Sequence, residues 1–90
     1  MKNTWGFDFV KVNTETNEFE TMLSLNIGDE QKTIELFDSI KESFDRNTSE
    51  PEIVLDLLDP SDDIIDNYSV TKTTAINIAA MLGHTIDKEA

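Results

Sequence analysis

The chain reads as one small α+β domain of ββαβαα order, in which a β-hairpin and a third strand pack against one long amphipathic helix and a second helix follows. Three observations predict it. Two N-terminal segments alternate apolar and polar residues, a central segment switches to a helical period, and an Ala-rich helical stripe closes the pattern. Ninety residues make a single domain, 1–90, with a tail expected to fray from about 84. A chain of this length buries only roughly 60 to 65% of its unfolded surface, so its core is small. Apolar residues are 38% and charged residues 29%. That content is lean, but its periodicity is that of a folded chain rather than a disordered one.

"TWGFDFVKV" sets Trp5, Phe7 and Phe9 against Gly6, Asp8 and Val10, the period of two of a strand with one buried face. After the turn-prone "NTETN", Phe19, Thr21, Leu23, Leu25 and Ile27 alternate with Glu18, Glu20, Met22, Ser24 and Asn26. The two segments form a hairpin over residues 4–27. From about Glu30 to Arg46, Thr33, Phe37, Ile40 and Phe44 recur at helical spacing, with Ile34 and Leu36 widening the stripe. Gly28 breaks the preceding strand, Asp29 suits the N-cap, and Arg46 suits the negative end of the helix dipole.

"NTSEP" is a loop in which Pro51 forbids continuation of the helix. "EIVLDLL" is nearly continuous in apolar residues, so it belongs in the sheet interior or under cover on both faces. In "DPSDDIIDN", Asp59 as N-cap, Pro60 at the first helical position and Asp62 and Asp63 in the first turn favour a short helical turn. Ile64 and Ile65 leave a strand open there. The last helix places Ala75, Ile78, Ala79 and Leu82 on one stripe and stops at Gly83 as C-cap. The expected core is Phe7, Phe9, Leu23, Leu25, Phe37, Ile40, Phe44, Ile53 and Leu55.

The net charge is −12, and residues 47–71 hold seven carboxylates without one Lys or Arg. So acidic a chain repels phosphate backbones and anionic lipid, which speaks against direct nucleic-acid or membrane binding and for a basic protein partner. The N-terminus lacks the apolar run of a signal peptide or membrane span, and the cytoplasm is the expected compartment. The absence of cysteine removes thiol chemistry, disulfides and thiolate zinc sites.

Catalysis has little to work with. The single His84 follows a helix-ending glycine, where an imidazolium suits the helix C-terminus. No Ser sits on a glycine-flanked strand-to-helix turn, and the three glycines are too far apart to cradle phosphate. Asp59, Asp62, Asp63 and Asp66 offer oxygen ligands to a hard cation. As a calcium loop, though, they have Ile64 where glycine is needed and Val70 where a bidentate Glu belongs. The expectation is therefore no enzyme, no cofactor and no metal. "AAMLG" has the cadence of a helix-turn-helix, but no basic recognition helix follows it.

The remaining constellation is acidic. Glu35, Asp38, Glu42 and Asp45 share one face of the first helix, spaced about 5 to 7 Å apart, close to the spacing of successive phosphates on a nucleic-acid strand. With Glu50, Glu52, Asp56, Asp59, Asp62, Asp63 and Asp66 they compose the expected partner-binding surface of a monomer or homodimer. In size and charge the chain resembles small acidic proteins that mimic DNA, including phage-encoded inhibitors of host nucleases. That resemblance is one of composition and carries no residue over. It implies an inhibitor or regulator engaging the basic, nucleic-acid-binding surface of a partner protein. The alternatives are a structural homo-oligomer joined through "AINIAAML" and a divalent-metal protein using Asp59 to Asp66.

Overall fold

The alternation around Phe7 and Phe9 is realised as the central strand of a four-stranded sheet. A computed structural model describes residues 4–86. In chain order the elements are β1 (Trp5–Asn13), β2 (Glu18–Gly28), α1 (Glu30–Ser43), β3 (Ile53–Leu58), β4 (Ile64–Val70) and α2 (Lys72–Met81). The sheet is antiparallel throughout, in the order β2-β1-β3-β4. The fold is thus α+β, with a fourth strand where a helical turn was the expectation, and its order is ββαββα rather than ββαβαα.

The departure at β4 has a local cause. An Asp-Pro pair opens a tight turn as readily as it caps a helix. Here the Asp59 carboxylate accepts from the N–H groups of Ser61 (2.8 Å) and Asp63 (3.0 Å), and Asp62 takes a positive φ of 65°. The chain reverses, and Tyr68 and Val70 then alternate with Asn67 and Ser69 in register with β3.

Registry sorts the side chains onto two faces. Phe7 lies between Leu25 and Leu57, Phe9 between Leu23 and Leu55, and Tyr68 and Val70 sit beside Leu55 and Ile53. Apart from Leu23, these residues join Phe37 and Ile40 of α1 and Ala75, Ile78 and Ala79 of α2 in one buried cluster, so both helices cover the same face. Each large apolar side chain buried there contributes about 1.5–3 kcal/mol. Of the expected core, Leu23 and Phe44 are only partly buried against that cluster. Ile86 is buried within it, and the rest of the tail expected to fray, 87–90, lies outside the described residues.

The caps follow the sequence closely. Asp29 Oδ1 accepts from the Lys32 N–H at 2.7 Å, and the buried Thr33 hydroxyl donates to the Asp29 carbonyl. The first helix stops three residues short of the expected Arg46. Phe44 turns extended, and the Tyr68 hydroxyl donates to the Phe44 carbonyl at 2.6 Å, meeting an acceptor at the helix end from β4. At the end of α2, Gly83 (φ +83°) and His84 donate to the carbonyls of Ala80 and Ala79, a Schellman ending that requires glycine's left-handed freedom. Gly6 is needed for a different reason: a Cβ there would lie 2.1 Å from the Leu25 carbonyl oxygen. Among the described residues no helix is long and apolar enough to cross a membrane.

Candidate partner-binding surface

The acidic residues that are consecutive in sequence are scattered by the fold. Glu35, Asp38 and Glu42 are exposed along α1 and span about 10 Å of its axis. Asp45, expected to continue that row, lies beyond the last helical turn, because the helix ends at Ser43. Asp66 joins the row from β4. The Lys41 ammonium reaches Asp66 at 3.1 Å and Asp38 at 3.6 Å, so one cation is shared by two carboxylates.

Asp66 and Lys41 adjust to each other. Burial pulls the Asp66 carboxyl upward, but the Lys41 hydrogen bond, the Asn67 N–H and the charges of Lys41 and Arg46 outweigh it and hold the group below the ordinary carboxylate range. The Asp66 hydrogen bond, against burial, raises Lys41 in turn.

The other acids divide between the two ends of the sheet. Glu50 and Glu52 precede β3, whereas Asp59, Asp62 and Asp63 follow it. The six-residue strand separates the groups by about 20 Å. Several already have local work. Glu50 accepts from the Thr14 hydroxyl, Glu52 accepts from the Lys72 N–H at the start of α2, and Asp59 holds its own turn. Among the described residues, no group of three or more His, Cys, Asp or Glu side chains is arranged to hold a metal ion.

Asp56 does not belong to this surface. It points to the sheet face away from both helices, is 9% exposed, and stands directly across from Asp8 of β1. Desolvation first, and the Asp8 charge second, push its carboxyl above the ordinary range. Asp8 in turn accepts from the Ser24 hydroxyl on β2. A lone acid in the middle of each apolar strand, "GFDFV" and "VLDLL", is the signal that marks the pair. In "AINIAAML" of α2, Ala75, Ile78 and Ala79 are fully buried inside the fold, whereas Met81 is 51% exposed.

No protein-family model matches the chain, and no match was found among curated proteins or solved structures.

Proposed function

We propose that the protein is a non-enzymatic binding module whose α1 carboxylates engage the basic, nucleic-acid-binding surface of a partner protein, as an inhibitor or regulator acting by charge mimicry. The observation that carries this reading is the row Glu35, Asp38 and Glu42 with Asp66 beside it, exposed on one side of the molecule, where Lys41 pairs with Asp38 and Asp66 and the Arg46 charge also acts on Asp66. Like charges at helical spacing cost roughly 0.2–0.5 kcal/mol per pair. A cationic partner relieves that repulsion and is steered in by the −12 net charge.

The test is a partner captured on the immobilised protein and then titrated at rising salt. Its association rate should fall steeply toward physiological ionic strength. Glu35→Lys with Glu42→Lys, which leaves the Lys41 contacts in place, should weaken binding at least tenfold, about 1.4 kcal/mol. Unchanged affinity in that double variant, or indifference to salt, sinks the proposal.

A further inference from the structure

Where the start of α2 approaches the β1–β2 hairpin, a cleft of about 170 Å³ opens at the end of the sheet. Half-buried Val12 and Met22 and exposed Pro51 supply apolar walls beside the buried Ile53, and Lys11, Lys72 and Glu52 complete the lining. Met22 is placed there by the sheet itself. Phe9 pairs with Leu23 and Val10 with Thr21, so Met22 is the extra residue of a β-bulge. A bulge re-aims the side chain it carries, and a thioether on three rotatable bonds adapts to what it meets.

Lys11 is the second observation. It is half-buried, and no described acid pairs with it, although the chain has 19 Asp and Glu residues. The other described bases differ. Lys41 pairs with Asp38 and Asp66, Arg46 lies over the Tyr68 ring, Lys72 has an interaction of its own, and Lys32 is exposed to water. Glu20 stands in register with Lys11 across the hairpin but makes no ion pair with it. Glu52 is turned to α2, where its carboxylate accepts from the Lys72 N–H at 3.0 Å.

We infer that this cleft binds a small monocarboxylic acid with an apolar body, its carboxylate on the Lys11 ammonium. The volume sets the size of the body, since an apolar cavity of about 150 Å³ holds a benzene ring. One ring, or a short branched chain of similar bulk, fills the space between Val12, Met22 and Pro51. A neutral body would leave the half-buried Lys11 charge unmatched, and a cation would meet Lys11 and Lys72. Lys11 also borders a second cleft with Asn13, Glu18, Phe19 and Glu20, but two carboxylates there oppose an anion. The net charge of −12 slows the approach of any anion. At physiological ionic strength, charges beyond about 8 Å are largely screened, so the groups inside the cleft decide the affinity.

The α1 row takes no part in this cleft, so the inference and the proposed function fail separately. The probes are benzoate and 4-methylpentanoate, each titrated into the isotope-labelled full chain at physiological salt, with the corresponding amides as neutral controls of the same shape. The expected result is saturable binding of at least one acid, with amide shifts centred on Lys11, Val12, Met22 and Ile53, and at least tenfold weaker binding of its amide. Lys11→Met keeps the stem and removes the charge. It should lose at least tenfold in affinity for the acid and bring acid and amide within threefold of one another. Glu35→Lys with Glu42→Lys should stay within threefold of the parent. The parent's own preference for acid over amide decides the matter even if the Lys11 variant fails to fold. No saturable binding of either acid, equal affinity for acid and amide, shifts centred on α1, or undiminished affinity in a folded Lys11→Met chain would each overturn the inference.

Discussion

Asp56 and Asp66 sit on the same hairpin, nearly opposite one another, yet their carboxyls are driven in contrary directions. Asp66 turns toward the helix layer and meets Lys41. Asp56 turns the other way, into a row flanked by valines, and meets Asp8. The residue type is the same and the chain separation is ten positions, so the difference is made entirely by which side of the pleat each one occupies. Acidity on one face is solvated and compensated. On the other, Asp56 is crowded by burial and by the charge of Asp8 across the strand.

The sharpest way to probe the contrast between faces is to truncate neighbours that point opposite ways. Phe9→Ala on the covered face should cost about 3–5 kcal/mol, whereas Val10→Ala on the open face should cost under about 1 kcal/mol, both read from urea unfolding midpoints. Equal costs would mean that the open face is packed as a second core. Next in size, Tyr68→Phe removes the hydroxyl that serves the end of α1 and should lose about 0.5–1.5 kcal/mol, with early exchange of the last α1 amides as its signature.

Smaller effects separate the two carboxylates. Asp56→Asn should raise stability at pH 7 by about 0.2–1 kcal/mol, the range for relieving like charges directly across a sheet. Because the folded-state value of Asp56 is raised, its protonated form favours the native state. The parent's deficit is therefore present above that raised value and gone below about pH 4, where the unfolded carboxyl also protonates. Thermal melts of parent and variant should converge in that acid range. Asp66→Asn should do the reverse and lose under about 0.5 kcal/mol at neutral pH, since its pair is largely solvated. Its depressed value means that this contribution is present above about pH 4 and disappears on further acidification.

What the sequence makes legible follows from how locally each feature is encoded. The hairpin, the start of α1 at Asp29 and the glycine ending of α2 are set by neighbouring residues, and each is found where its local signals place it. β4 is ambiguous because Asp59-Pro60 serves a helix start and a turn equally well, and only pairing with β3 decides between them. The acid block misleads for a related reason. Residues 50–66 are contiguous along the chain, but they pass through a strand, so two groups land at opposite ends of the sheet and Asp56 lands on the far face. In "IVLDLL" both faces are rich in apolar residues, which hides the alternation that would have assigned Asp56 its side.

The two outer strands carry a consequence for how copies of the molecule behave when crowded together. β2 is interrupted twice, where register shifts bend it near Met22 and Ile27, and it carries Glu18 and Glu20. β4 is interrupted before Asp66, and near its far end the Ser69 carbonyl is already taken by the Asn47 N–H at 2.8 Å. Neither margin is a straight, unfilled ladder, and bent, charged margins resist the templated stacking from which fibres grow. Straightening β2 by deleting Met22 would remove one of these obstacles and turn a dispersed protein toward ordered aggregation at high concentration.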